Sequence, residues 1–94
     1  MLRELNPLIH SELRLGVMSI LIGVESADFT YICRQTGATA GNLSVQLDKL
    51  SQAGYIEITK TFKGKIPCTQ CRITYRGVDA FNAYIEALKE YLKI

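Results

Sequence analysis

The longest apolar-rich stretch of this 94-residue sequence, Leu15 to Val24, falls far short of the roughly 20 residues that cross a bilayer. A membrane partner is therefore not expected. Cysteine is scarce and odd in number, three in all, which suits a reduced compartment better than a disulfide framework. Histidine occurs once, at His10, beside a helix start where capping or surface packing is the expected role. No nucleophile, base and orienting acid stand in a plausible local arrangement, and no glycine-rich phosphate loop is present; a non-enzymatic protein with no cofactor is expected. The first residues carry Arg3 and Glu4 in place of the basic, apolar and small-residue order of a signal peptide, so a cytoplasmic location is expected. Internal repeats, low-complexity runs and Pro/Gly/Ser linkers are all lacking, which predicts one domain over residues 1–94.

What is there resembles an ordinary globular domain: 48% hydrophobic and 21% charged residues, enough for a core burying roughly 60 to 70% of the unfolded surface. A net charge of +2 points to no partner by itself, but its distribution does. Residues Met1 to Ala38 carry three basic against four acidic side chains, Thr39 to Arg76 six against two, and Gly77 to Ile94 two against three. The positive field is confined to the middle of the chain.

Hydrophobic periodicity divides the sequence into elements. Asn6-Pro7 is a helix-start pairing and Ser11 a second N-cap; Leu13, Val17, Ile20 and Leu21 recur at helical spacing, predicting a helix over Ser11 to Ile22 stopped by Gly23. Phe29 is read as a short strand, followed by a brief helix capped by Thr30 and ended at Gly37. Thr39 then caps a helix from Ala40 to Ala53 with Leu43, Leu47 and Leu50 on one stripe and a stop at Gly54. From Tyr55 the period falls to two: a strand to Phe62, a turn at Lys63-Gly64-Lys65 and a second strand over Cys68 to Ile73 make a hairpin. Thr74 caps a last helix, Tyr75 to Leu92, whose Val78, Phe81, Ile85, Leu88 and Leu92 alternate by three and four.

Three short helices and a basic-tipped hairpin are the order of an α+β winged helix, and the third helix and hairpin hold the positive segment. A helix entering a major groove about 12 Å wide must present short or amide side chains to base edges. Ala40, Gly41, Asn42, Ser44 and Gln46 meet that requirement. Asn42 or Gln46 suits a bidentate contact to adenine, Thr39 and Ser44 suit phosphate near the helix N-terminus, and Lys49 adds charge to the same face. Lys63 and Lys65 flank Gly64 at the wing tip, where a basic loop can follow the backbone or enter a minor groove, and Arg72 is a further cation on the hairpin.

The segments Leu13 to Leu21, Gly37-Ala38-Thr39, Asn42-Leu43-Ser44, Leu47-Asp48-Lys49-Leu50, Ala53-Gly54-Tyr55-Ile56 and Ile73-Thr74-Tyr75-Arg76-Gly77, taken in order, resemble the MarR-type winged helix-turn-helix regulators. The closest likeness is to the short subgroup in which the DNA-binding domain and a terminal helix make up the chain. It extends over about Leu8 to Leu92. The resemblance implies sequence-specific binding to double-stranded DNA, dimerisation through the terminal regions and, most often, repression. In that family the wing often carries Gly-Arg-x-Pro-Arg-Thr with an aromatic two residues on. This chain reads Gly64-Lys65-Ile66-Pro67-Cys68-Thr69-Gln70-Cys71, with cysteines in place of the second arginine and the aromatic.

An isolated helix as long as the last one is marginal in water. Its five apolar side chains, at roughly 1.5 to 3 kcal/mol each, call for a partner, with Leu5 beside Leu2 and Leu8 as a second contact. A homodimer through Leu5, Val78, Phe81, Ile85, Leu88 and Leu92 is expected, which would set two recognition helices about 34 Å apart. Two other readings stand beside this one: a winged-helix protein-interaction module that binds no DNA, and a thiol or metal sensor built on Cys68-x-x-Cys71. Against the second, residues three apart in a strand point to opposite faces, and no second Cys-x-x-Cys is present. A small-molecule effector is not specified by these residues.

Overall fold

The computed structural model describes residues 1–94. The order is α1 (Glu12–Leu21), β1 (Ala27–Asp28), α2 (Phe29–Thr36), α3 (Ala40–Gln52), β2 (Ile56–Lys63), β3 (Ile66–Ile73) and α4 (Tyr75–Leu92). The strands form one antiparallel sheet in the order β1-β3-β2. No helix is long and apolar enough to cross a membrane.

Apolar stripes from the first three helices meet over the root of the sheet. Val17, Met18 and Leu21 of α1, Ile32 of α2, and Leu43, Leu47 and Leu50 of α3 are buried together with Ile9, Ile56, Cys71 and Tyr84. Ser11 stands at the N-cap position of α1 but its side chain makes no capping hydrogen bond; α3 and α4 are capped by threonines. Thr39 Oγ1 accepts from the Asn42 amide at 3.2 Å and Thr74 Oγ1 from the Gly77 amide at 3.0 Å, each satisfying an amide that has no partner within its helix.

The second helix differs from the sequence expectation. Phe29 is its first residue, not a strand, and the cap is Asp28, whose Oδ1 accepts from the Tyr31 amide at 2.7 Å. The strand lies one step earlier, at Ala27–Asp28, pairing with Cys71 and Gln70 of β3. Thr30 has the propensity to cap, but Asp28 pairs with the sheet and caps the helix at once, leaving Thr30 in the first turn. Gly37 ends α2 with φ 72°, a left-handed conformation that glycine adopts without strain.

The hairpin also begins its return earlier than expected. Ile66 pairs with Lys63 and Pro67 with Phe62, so the loop is the two residues Gly64-Lys65 and the second strand starts at Ile66, not Cys68. Gly64 has φ 63° while Lys65 keeps negative φ, the sign pattern of a type II′ turn, which matches the natural twist of the strands. Proline is tolerated at Pro67 because the wing is a two-stranded ribbon with a free edge there.

On α4 two apolar faces exist, about 100° apart around the axis. The face seated on the domain is the small-residue one: Gly77, Tyr84 and Ala87 are buried and Ala80 packs on the core. A Cβ built on Gly77 would lie 2.1 Å from the Tyr55 carbonyl oxygen, so only glycine lets the helix backbone come this close to the wing root. The stripe of larger side chains, Val78, Phe81, Ile85 and Leu88, is only half-buried, and Leu92 is exposed.

Residues 1–10 lie along α4 as a strap. Arg3 Nε is 3.1 Å from Glu90 Oε2 and its amide 3.2 Å from Oε1, and the Tyr91 hydroxyl donates to the Arg3 carbonyl at 2.6 Å. His10 Nδ1 and the Tyr84 hydroxyl are 2.8 Å apart. Asn6 does not start a long helix. Its Oδ1 accepts from the Leu8 and Ile9 amides, closing a single turn before α1 begins after Ser11.

Candidate nucleic-acid interface

The outward surface of α3 follows from its phase. With Leu43, Leu47 and Leu50 fully committed to the core, the opposite face must carry the remaining residues. Thr39, Ala40, Gly41, Asn42, Ser44, Val45 and Lys49 are exposed. Most are small or carry an amide or hydroxyl, so the helix backbone can approach base edges without bulky obstruction.

Asn42 and Gln46 occupy successive turns and are hydrogen-bonded to each other, Gln46 Nε2 donating to Asn42 Oδ1 at 3.0 Å. Gln46 is half-buried, and its Oε1 accepts from Arg14 Nη1 of α1. Arg14 is itself held by its Nε donating to the Leu8 carbonyl at 2.6 Å. The amide of Gln46 is thus oriented by α1, while Asn42 stands on the exposed side of the pair.

Arg14 is the participant that sequence reasoning missed, and the signal was present. Positions 14, 17, 18 and 21 lie on one face of a helix, and Val17, Met18 and Leu21 are fully buried. A cation in phase with core residues must find acceptors close by, because an unpaired buried charge is strongly unfavourable.

The wing rises beside α3. Ser44, Leu47 and Asp48 of α3 face Ile58 and Lys60 of β2 and Thr69 of β3 across a groove of about 330 Å³ that Phe29 also lines. Ser44 and Asp48 therefore border the hairpin, whereas Asn42 lies on the opposite flank of α3, in a hollow lined by Glu12, Leu13 and Gly16 of α1 and Gln35 and Thr36 of α2. The register places Ile56, Ile58, Lys60 and Phe62 on the α3 side of the ribbon, opposite Ile73, Cys71, Thr69 and Pro67. Beyond Lys60 the ribbon leaves the core, and Lys63 and Lys65 stand fully in solvent at its end. Arg72, on the other face, is engaged with Glu57, Nη2 to Oε2 at 2.9 Å; both are more than half exposed, where such a pair contributes little to stability.

The two cysteines of the Cys-x-x-Cys segment do not share a site. Cys71 is in the core against Ile58, while Cys68 pairs with Thr61 on the outer face. Burial raises the Cys71 thiol from its ordinary value of 9.0 to about 11, because the low-dielectric core disfavours the thiolate. Cys33, on α2, is half-buried. Of the residues singled out for dimerisation, Val78, Phe81, Ile85, Leu88 and Leu92 share one stripe of α4, and Leu92 projects from its end with 57% exposure; Leu5 packs on the core, as do Phe81, Ile85 and Leu88, in a strap whose contacts with α4 are at Ala80, Ala83, Tyr84, Glu90 and Tyr91.

Comparison with known proteins agrees with this geometry. The winged helix DNA-binding domain family model matches residues 13–92. An uncharacterized protein of Methanocaldococcus jannaschii is 33% identical over 85 residues, covering 89% of this chain and 91% of its own. A transcriptional regulator homologue from Pyrococcus horikoshii OT3 superposes with a TM-score of 0.85 at 26% identity, covering 92% of this chain and 85% of that one. A MarR-family transcriptional regulator from Silicibacter pomeroyi shares the fold at a TM-score of 0.70 and 14% identity, covering 88% of this chain and 55% of that one. The exposed polar helix, the basic hairpin beside it and the match across nearly the whole chain lead to one conclusion: this protein belongs to the winged helix DNA-binding domain family and shares its fold with the transcriptional regulators above.

Proposed function

We propose that the protein acts as a homodimer, binds a pseudo-palindromic DNA site in a sequence-specific way and represses transcription by occupying it. The observation that carries this reading is the shared border of α3 and the wing: Ser44 and Asp48 face Lys60 and Thr69 across one groove, so a duplex that receives the helix in its major groove meets the hairpin as well. Asn42, held by Gln46, is the leading candidate for base reading, with Gln46 behind it and Ala40 and Ser44, one turn apart, on the other flank of the helix, where Ser44 borders the wing. Thr39 at the helix start, Lys49, Lys63 and Lys65 are the phosphate contacts, and Arg72, on the far face of the ribbon, joins them only by leaving Glu57. Repression needs nothing beyond occupancy of a site that polymerase must use.

Dimerisation is supported by the two faces of α4. The small-residue face satisfies the domain, and Val78, Phe81, Ile85, Leu88 and Leu92 retain apolar area in the monomer; Leu2 of the strap is 54% exposed as well. Covering that area stabilises association by about 25 cal/mol per Å², against an association cost of roughly 4 to 15 kcal/mol.

Selection of bound duplexes from a random pool, with stoichiometry measured alongside, tests the proposal. Two protomers on an inverted repeat with centres about 34 Å apart are expected. The logarithm of affinity should fall against the logarithm of salt with a slope of roughly −0.9 per phosphate contacted. A complex insensitive to salt, or enrichment of no sequence, would favour a protein-interaction role.

A further inference from the structure

The wing carries an unexplained pair of side chains. Phe62 is 69% exposed and Ile66 is 70% exposed, although each belongs to a paired strand next to the turn. They lie on opposite faces of the ribbon: Phe62 shares a face with Pro67, and Ile66 with Lys63. Lys60, Lys63 and Lys65 surround them and are exposed. Large apolar groups on both faces of a solvated hairpin contribute nothing to the core beneath, and the lysines give the same tip a cationic collar.

We infer that this tip is an apolar wedge for the minor groove of the duplex whose major groove receives α3, and that it selects flexible sequence there. The inference rests on the DNA-binding reading above and deepens it. Lysines around an apolar centre match a groove whose floor is apolar base and sugar surface between two phosphate rows. The site is continuous with the α3 groove, because Lys60 lines that groove two residues before Phe62.

The consequence comes from thickness. One sheet layer with side chains on both faces occupies about 10 Å, whereas the B-form minor groove is about 6 Å wide. With Phe62 on one face and Ile66 on the other, the tip enters only if the groove opens or a base step unstacks. Stiff A-tracts with narrow grooves resist that deformation, and pyrimidine–purine steps such as TA and CA accept it. The wing therefore discriminates sequence at positions it reads by deformation alone.

Duplexes carrying the best core recovered by selection, with flanks of either A-tract or TA- and CA-containing sequence, provide the test. The wild-type chain should bind the flexible flanks about tenfold more tightly and bend them more, as read by energy transfer between end labels. The Phe62→Ala/Ile66→Ala variant, altered only at exposed positions, should keep its affinity for A-tract flanks within about twofold and lose the preference, whereas Lys63→Ala/Lys65→Ala should weaken both duplexes alike. A wild-type preference for A-tracts, equal binding to both flanks, or a preference that survives in the apolar double variant would overturn the wedge while leaving DNA binding intact. Failure to bind any duplex would instead refute the DNA reading, and the wedge with it. A dimer that dissociates in the apolar variant would reassign the patch to a protein contact.

Discussion

Gly77→Ala separates packing from helix propensity because the two act in opposite directions. Gly77 lies in the first turns of an 18-residue helix, where alanine is favoured over glycine by about 1 kcal/mol. The added Cβ, however, would sit 2.1 Å from the Tyr55 carbonyl oxygen and 2.8 Å from Ile73 Cγ1. The oxygen belongs to backbone at the root of β2 and accepts the Thr74 amide at 3.0 Å, so it cannot swing aside. The start of α4 must retreat by about 1 Å to restore ordinary contact, which lifts Tyr84 and Ala87 from the core and stretches the Thr74 bond. Overpacking of this kind costs about 1 to 3 kcal/mol and a weakened hydrogen bond about 1 kcal/mol more. A net loss of about 2 kcal/mol, or roughly 8 to 16 °C in Tm for a domain of this size, should appear in urea and thermal unfolding. Gly16→Ala is the control: in the middle of α1 its Cβ would meet Thr36 Cγ2 at 3.7 Å, an ordinary contact, and the variant should gain up to about 1 kcal/mol. A Gly77→Ala protein as stable as wild type would refute the close approach of α4 to the wing root.

Gln46→Ala should reorder the preferred DNA sites, while Lys63→Ala weakens all of them alike and lowers the salt slope by about one unit; unchanged site ranking in a selection would remove Gln46 from base reading. Leu92→Glu, at the exposed end of α4, should shift mass in sedimentation toward the monomer while leaving thermal unfolding of the domain little changed; an unaltered dimer would place the interface elsewhere. Cys71 should alkylate about a hundredfold more slowly than an ordinary thiol at neutral pH, since its thiol is raised to about 11 and the thiolate is the reactive form; equal rates at Cys68 and Cys71 by mass spectrometry would contradict its burial. Glu90 is held below its ordinary pKa first by the Arg3 amide and then by the Arg3 side chain. A lowered folded value means that the strap contact is present above the ordinary carboxylate range and is lost as pH falls through the folded value; the protection of the Arg3 amide, its exchange rate by NMR relative to the intrinsic rate at each pH, should fall in acid, and protection that does not change with pH would refute the tie.

Much of the fold was legible because strong local signals agreed with one another. Thr39 and Thr74 cap as their positions imply, and Leu43, Leu47 and Leu50 form the buried stripe of α3. The failures have physical sources. Asp28 was hidden as a cap because it belongs to a two-residue strand defined only by pairing with β3, and short strands have no periodicity of their own. Ile66-Pro67 reads as loop until the Gly64 turn sets the register. On α4, large side chains draw attention to Val78, Phe81 and Ile85, whereas the closest packing is made by Gly77, Ala80 and Ala87, whose importance lies in the side chain they lack. Within the candidate site, exposure of Asn42 and Ser44 follows from helix phase, but the Arg14–Gln46 bond joins residues 32 apart and required the fold.

Tyr55 joins the parts that the proposed dimer would have to hold in register on two half-sites. Its amide donates to the Leu50 carbonyl at 3.0 Å at the end of α3, and its carbonyl accepts from the Thr74 amide at the start of α4. Its hydroxyl accepts from Asn6 Nδ2 of the strap at 3.0 Å. One residue thus ties the reading helix, the wing root and both elements of the proposed dimer surface, with Gly77 pressed against the same carbonyl. Half-site spacing on B-form DNA is fixed at about one helical turn, so any looseness between α4 and α3 would blur the distance between the two reading helices. In the proposed dimer, a rigid junction at Tyr55 would convert the geometry of association directly into the spacing of the DNA site, so disturbing Gly77 should widen the range of spacings the protein accepts as well as lower its stability.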